Sequence, residues 1–295
     1  MITELSIVIP TYDKDCVQLV EVLSEQASQA ANLCYEIIVA DDGSTDQQII
    51  TTNRRINTFA CCRYIERQKN VGRAAIRNFL VSESHFPWLL FIDSRMRVRD
   101  RHFLQSYLEQ DDMDVIYGGY VVEEKATMRH CLRYLYERHF LLNHPASVRQ
   151  RHPYLDFHTS NFLVRRSVLE RIPFDERFKH YGYEDVLYGR QLEEANVRIR
   201  HIDNPVLFSG FESNEAFIEK TEEALDTLYS FRRELKDYSR MIQLTDKLRH
   251  WHLLWLVRLG FRLFGKKWRR KCVGERPTLR AFNLYRVGYY LKVKR

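Results

Sequence analysis

Residues 35–46 read YEIIVADDGSTD, and the architecture turns on how that stretch is read. Ile37, Ile38, Val39 and Ala40 form an unbroken apolar run, the mark of a strand buried on both faces. The run stops abruptly in Asp41, Asp42, Gly43 and Ser44, residues that favour a turn. Thr45 or Asp46 is placed to cap a helix that follows. The same grammar repeats outward. Residues 5–9 (LSIVI) are a strand ended by Pro10, and residues 88–92 (WLLFI) are another that delivers Asp93. Residues 17–31, 47–59 and 74–84 carry helical spacing, and CRYIER (62–67) is a short strand. Strands alternating with helices predict a Rossmann-like, mostly parallel α/β sheet flanked by helices. Ligands of such sheets sit beyond the carboxyl ends of the strands, where the polar clusters 11–13, 41–46 and 93–95 all fall.

Further along, residues 115–122 (VIYGGYVV) read as one strand, 129–142 as an aromatic-rich helix and 143–158 as an irregular loop. Residues 161–164 are short and apolar, SVLERI (167–172) is a helical turn, and FDERFKHYGYED (174–185) is a polar loop. Residues 186–196 are helical, 197–208 (VRIRHIDNPVLF) strand-like and 215–238 helical. No repeat or low-complexity tract interrupts the pattern.

The 295 residues, 45% hydrophobic and 29% charged, suit a globular α/β domain with an appendage. Six cysteines without a CxxC pair predict reduced thiols rather than disulfides or zinc ligands. The start of the chain runs into a strand without a basic, apolar leader, which predicts a cytoplasmic protein. The net charge of +7 conceals an asymmetry: residues 246–295 hold 15 Lys/Arg against two Asp/Glu, and the preceding residues are mildly acidic. The expected division is therefore a main domain over 1–245 and a basic helical extension over 246–295. Within the extension, Arg258, Arg262 and Lys266 recur every four positions beside Trp251, Trp255, Phe261 and Trp268. That is the pattern of an interfacial amphipathic helix on an anionic membrane surface, contacted through residues 249–272. The alternative is a terminal helix packed on the domain with solvated basic ends. A tail-limited charge does not suggest a nucleic-acid partner.

Four segments, SIVIPTYDK (6–14), EIIVADDGSTD (36–46), NVGRAAIRN (70–78) and FIDSRMRV (91–98), together resemble family 2 glycosyltransferases: inverting, nucleotide-sugar-dependent enzymes of the GT-A fold. FDERFKHYGYEDVLYGRQL (174–192) resembles that family's acceptor-side motif. The resemblance spans roughly residues 5–225 and does not reach the tail. It implies transfer of a sugar from a UDP-sugar to a hydroxyl of a glycan or lipid-linked oligosaccharide, at the inner face of the cell membrane.

Site residues follow motif by motif. The resemblance assigns base recognition to Asp42, whose carboxylate can accept a uracil-type N3–H; the plainer reading is a loop leading into a helix cap. Pro10, Thr11, Tyr12 and Asp13 would form the other wall, although Asp13 equally suits a strand-to-helix turn. Gly72 opens a helix whose free N–H groups suit phosphate. Arg77 is assigned to the diphosphate, with Arg73 either beside it or on a solvated face. Asp93 and Ser94 would contact the ribose and the sugar nucleotide. Asp185 is the expected base, Glu184 and Tyr183 lie on the acceptor side, and Asn161 falls near the sugar; a charged helix start is the plain alternative for the acidic pair.

Two departures concern the metal. Relatives carry Asp-x-Asp where this chain has Asp93-Ser94-Arg95, and the second carboxylate usually binds Mg²⁺ or Mn²⁺. Relatives also commonly carry a ligating histidine where this chain has Phe208. The expectation is therefore no metal cofactor, with Arg95 taking over part of the cation's electrostatic work. If a metal did bind, Asp93 would hold it; His158 and His201 could offer imidazoles, though each is more often a packing histidine. The competing reading is an inactive nucleotide-binding scaffold. A nucleotidyltransferase would need a glycine-rich loop after the first strand, which IPTYDKD lacks.

Overall fold

The computed structural model describes residues 1–141 and 144–293. Leu142 and Asn143, the end of one expected helix and the start of one expected loop, lie outside the described residues. The chain divides into two compact units: Met1–Val121, His144–Lys179 and Tyr188–Gly210 form the first, and Val122–Asn143, His180–Leu187 and Phe211–Arg295 the second. The basic extension from residue 246 onward falls inside the second unit.

The first unit carries ten strands: β1 (Glu4–Thr11), β2 (Cys34–Asp41), β3 (Cys62–Glu66), β4 (Trp88–Ile92), β5 (Met96–Arg97), β6 (Val115–Tyr117), β7 (Tyr120–Val121), β8 (Asn161–Arg165), β9 (Ile199–His201) and β10 (Val206–Phe208). Seven form one sheet in the order β3-β2-β1-β4-β8-β6-β9. β1, β2, β3 and β4 are mutually parallel where they pair, as the continuous apolar runs predict. β8 runs antiparallel between β4 and β6, while β6 and β9 are again parallel. Ile7 pairs with both Ile37 and Leu90, so the carboxyl ends of β1, β2 and β4 share one edge. Helix Arg73–Glu83 turns Ala74, Ile76 and Leu80 into the core with Val8, Ile38 and Phe91. Phe91 stacks on Phe162 with ring centroids 4.8 Å apart. Truncating such a fully buried ring to alanine costs about 3–5 kcal/mol.

The stretch expected as a single strand over 115–122 is instead two strands in different sheets. β6 belongs to the large sheet; β7 joins β5 and β10 in a sheet ordered β5-β10-β7. The break falls at Gly118 and Gly119. A Cβ on Gly118 would come within 2.3 Å of the Tyr107 hydroxyl and 2.6 Å of the Asn161 amide nitrogen, and Gly119 has φ +83°. Only glycine lets the chain turn there.

Other boundaries moved for local reasons. The helix expected over 47–59 ends at Asn53 and continues as a 3₁₀ turn over Arg54–Thr58, and the one expected over 215–238 closes at Ser230. The loop expected over 143–158 contains a short helix, Ala146–Arg149. All six cysteines are free thiols, and Cys16, Cys62, Cys131 and Cys272 are buried.

The second unit is helical. Helices Leu132–Leu141, Asn214–Ser230, Leu254–Val273 and Leu279–Val293 meet around Leu132, Phe217, Ile218, Cys272, Phe282 and Tyr285. The last two form a hairpin whose close approach requires Gly288, since a Cβ there would fall 2.1 Å from the Phe261 ring. No described helix is long and apolar enough to cross a membrane.

Candidate functional site

The loop after β1 is tied to the loop after β2. Asp13 sits at φ +47°, and its carboxylate accepts the N–H groups of Thr45 (2.8 Å) and Asp46 (3.0 Å). Its own N–H donates to the Ser44 hydroxyl at 2.7 Å. Burial would raise the Asp13 carboxyl, but these N–H donors and the Thr45 hydroxyl outweigh it and hold it below its ordinary value. Asp46 caps helix Gln47–Asn53 by accepting from Gln48 and Ile49, so it, and not Thr45, is the cap. Thr11 is buried with its hydroxyl on the Lys14 carbonyl at 3.2 Å, Pro10 is half-buried, and Tyr12 is exposed.

Asp42 is buried at 4% exposure. One carboxylate oxygen accepts the Val71 N–H and the other the Gly72 N–H, both at 3.0 Å. Burial pushes this carboxyl up, and the two N–H groups and the Arg67 guanidinium only partly offset it. Gly43 is required here: at φ +74°, a Cβ would lie 2.6–2.9 Å from the Lys69–Asn70 backbone. Gly72 (φ +92°) directly precedes helix Arg73–Glu83. Asp42 thus holds the Val71–Gly72 loop against the end of β2.

The end of β4 is electrostatically different. The Asp93 carboxylate accepts the Arg95 N–H at 3.0 Å in a tight turn closed by Met96 N–H to the Asp93 carbonyl at 2.9 Å. Burial alone would raise Asp93, but the guanidiniums of Arg73, Arg95 and Arg77, with the Arg95 N–H, bring the net shift below the ordinary value. Arg77 is buried at 2% exposure, with its guanidinium 5.5 Å from the Phe174 ring centroid and Nη1 donating to the Arg73 carbonyl at 3.2 Å. Ser94, Arg95 and Asp13 line one cleft of about 560 Å³, together with Lys14, Arg97 and Arg99.

The two departures from the family pattern are neighbours in space. β10 pairs antiparallel with β5, setting Phe208 opposite Met96, and the Ser209 N–H faces the Arg95 carbonyl at 3.5 Å. Gly210 leaves room for the Arg95 stem, whose carbons lie 3.0–3.2 Å from where a Cβ would stand. A divalent cation needs several converging oxygen or imidazole donors. Asp93 is one, but the positive charges of Arg73, Arg95 and Arg77 act on it, and Phe208 beside this turn is apolar and buried. Among the described residues no group of three or more His, Cys, Asp or Glu could hold a metal ion. The residues present do not fit the cation that the resemblance implies.

Asn161 lies in the interior rather than on an open surface. It is fully buried, its oxygen accepts the Tyr107 hydroxyl at 2.8 Å, and its amide donates to the carbonyls of Gly119 (2.8 Å) and Asn204 (2.9 Å). This set of bonds pins the Gly118–Gly119 break. His201 is likewise a packing residue: burial pushes it down to about 4, Arg149 Nε donates to its Nδ1 at 3.2 Å, and Nε2 contacts the Pro153 carbonyl at 2.9 Å. His158 packs edge-on against Tyr117 and Tyr120, at 6.2 and 6.1 Å.

The acidic pair belongs to the second unit. Gly182 (φ +100°) lets the HYGYED loop approach helix Asn214–Ser230, where a Cβ would lie 2.7 Å from that of Ala224. The Tyr181 N–H donates to Glu223 at 3.1 Å, and the Thr227 hydroxyl to the Tyr181 carbonyl at 3.2 Å. Tyr183 has φ +66°; burial raises its phenol, partly relieved by the Arg286 guanidinium. Glu184 and Asp185 then open helix Glu184–Glu194, with Glu184 buried and Asp185 half-buried. Two carboxylates in a first turn are favoured by the helix dipole.

The charge of Arg73 helps to lower the Asp93 carboxyl, and its side chain is half-buried rather than fully solvated. Arg97 and Arg99 line the same cleft as Arg95, in keeping with their alternation along RMRVR, which puts all three on one side of an extended chain.

Residues 6–173 match the sequence model described as "Glycosyl transferase family 2". Chondroitin synthase of Pasteurella multocida (strain Pm70) is 26% identical over 238 residues, covering 69% of this chain and 24% of that protein. Chondroitin synthase of Escherichia coli is 26% identical over 247 residues, 70% of this chain and 35% of its own length. The chain therefore spans about a quarter to a third of these curated relatives. Among solved structures, S. aureus TarS 1-349 in complex with UDP is similar with a TM-score of 0.52 at 18% identity, covering 99% of this chain and 90% of that one. The Pyrobaculum calidifontis mannosyltransferase PcManGT, in complex with GDP-Man and Mn²⁺, gives 0.56 at 13% identity, covering 98% and 85%. At such identities these structures speak for the fold, a GT-A-like sheet flanked by helices. With more than half of its length inside the family's sequence model, the chain belongs to glycosyl transferase family 2, and it is a glycosyltransferase.

Proposed function

We propose that this glycosyltransferase moves a sugar, with inversion, from a UDP-sugar to a hydroxyl of a glycan or lipid-linked glycan. The observation that carries the reading is the end of β4, where Asp93 accepts the Arg95 N–H at 3.0 Å and the charges of Arg73, Arg95 and Arg77 hold its carboxyl below the ordinary value. The leaving diphosphate gains negative charge as the anomeric C–O bond breaks, and prepositioned positive charge lowers that barrier. Planar, permanently charged guanidiniums suit phosphate oxygens, so Arg95, with Arg73 and Arg77, takes the part usually played by a cation. Asp93 accepts a ribose hydroxyl. Asp42 keeps lone pairs beyond those facing Val71 and Gly72 and accepts the base N–H, with Thr11, Tyr12 and Asp13 beside it. Asp185 takes the proton of the acceptor hydroxyl as its oxygen attacks the anomeric carbon opposite the diphosphate, and Glu184 orients that hydroxyl. A single displacement of this kind inverts the anomeric centre.

The donor reading draws support from similar structures that hold UDP and UDP-GlcNAc, and the acceptor reading from relatives named as chondroitin synthases. The test is UDP release by the full chain with a panel of UDP-sugars and oligosaccharide acceptors, with and without EDTA. Turnover that survives chelation and gains nothing from added Mn²⁺ is the expected result. Turnover abolished by EDTA would overturn the arginine-for-cation assignment, and silence with every UDP-sugar would overturn the donor.

A further inference from the structure

We propose that the helical hairpin of the second unit docks on an anionic lipid bilayer. Helix Leu254–Val273 lies in the interface plane, and a groove between the two hairpin helices seats headgroup phosphates. The inference rests on the surface of this unit and not on the transfer reaction.

Burial along the helix follows its own period. Gly265 and Cys272 are buried and Phe261 and Trp268 half-buried, on the side that packs with helix Leu279–Val293. The opposite side is exposed and apolar over its first half: Trp255, Leu256, Leu259 and Leu263 recur at spacings of three and four. Single exposed leucines are ordinary on any protein. Concentration is not: of thirteen large hydrophobic side chains exposed among the described residues, seven lie between Trp251 and Phe264. A patch of that kind marks a surface that is covered in use.

The charges say what covers it. Arg258, Arg262 and Lys266 run along one flank of the apolar stripe, and Lys267, Arg270 and Lys271 continue the exposed side; all six are exposed. No ion pair among the described residues engages them, whereas neighbouring Arg269 is held by Glu215 at 2.6 Å and Glu222 at 3.4 Å. Between the hairpin helices lies a cavity of about 830 Å³ lined by Arg258, Arg262, Lys266 and Lys292. Anionic headgroups meet the cations while the acyl boundary receives the Trp and Leu side chains. A twofold-related second copy would bring this cationic patch against itself. Nucleic acid would leave the apolar stripe uncovered.

The test uses the full chain with vesicles of phosphatidylcholine alone or with about a quarter phosphatidylglycerol, at about 0.1 M salt. Co-sedimentation with the anionic vesicles only, with a blue shift of tryptophan emission, is expected. The variant R258Q/R262Q/K266Q/K267Q removes exposed charges without touching packing and should lose about a hundred-fold in partitioning. The variant W255S/L259S/L263S should lose a comparable amount, and both should keep the wild-type far-UV dichroism and melting temperature. Partitioning unchanged in the charge variant, or equal on neutral and anionic vesicles, would overturn the proposal. So would a dimer in solution that the serine variant abolishes, with no vesicle binding by the wild type.

Discussion

β1 has two parallel neighbours, and each ends in an aspartate with a different electrostatic outcome. At the end of β2, Asp42 is buried against backbone N–H groups and one guanidinium, and burial wins, so its carboxyl is raised. At the end of β4, burial would likewise raise Asp93, but the charges of Arg73, Arg95 and Arg77 with the Arg95 N–H outweigh it and the carboxyl is lowered. At Asp42 the peptide N–H groups orient the carboxylate without offsetting its burial, whereas at the more open Asp13 similar donors suffice and at Asp93 formal charges add to one N–H. One strand end therefore holds the shape of a loop, and the other holds charge.

The largest expected effect falls on the charged end. Arg95→Ala should lower turnover about a hundred- to a thousand-fold while leaving the melting temperature near wild type, since Arg95 is half-exposed. Arg95→Lys should recover only part of it, because an ammonium lacks the planar fork. Steady-state rates for the three proteins check this, and a near-wild-type alanine variant would make Arg95 a bystander.

The shaped end should respond in stability. Asparagine at position 42 offers one acceptor oxygen, so either the Val71 or the Gly72 N–H loses its bond to that side chain, although Gly72 keeps a second acceptor in Asn70 Oδ1 at 3.1 Å. Asp42→Asn should then cost about 1–3 kcal/mol in urea unfolding. An unchanged midpoint would mean that the loop does not depend on these bonds.

The finest discrimination is by pH. Unfolded aspartate titrates near about 3.9. Asp93, lowered in the folded state, contributes stability above that value and loses it as pH falls through its folded value. Asp42, raised in the folded state, costs stability increasingly as pH rises through about 3.9 and beyond. Urea midpoints at pH values from acid to neutral, each relative to its Asn variant, should therefore rise with pH for Asp93 and fall for Asp42. Parallel slopes would erase the contrast between the two strand ends.

Much of this was legible in the residues. Continuous apolar runs announced the parallel strands, and Asp46 announced its cap, because both depend on a few adjacent side chains. Arg95 and Phe208 were legible as paired departures through the family pattern. What escaped was non-local. Two glycines inside VIYGGYVV look like weak points in a strand until Tyr107 and Asn161 close on them. Asn161 looked like a ligand contact because its partners are 43 and 54 residues away. Arg73 stayed open between the diphosphate and a solvated face, because a helix surface alone does not reveal the carboxylate beyond its end.

By itself, then, the sequence determined the period of the main elements, the place of the cap before helix Gln47–Asn53 and the charge of the tail. These follow from local sterics and from hydrogen bonds between near neighbours. Only the tertiary structure decided that β8 enters the sheet antiparallel, that β5 meets β10, and that the charges of Arg73 and Arg77 act on Asp93. Those outcomes depend on which distant surfaces bury one another, and on electrostatics that falls off within a few ångströms of a position no local pattern encodes.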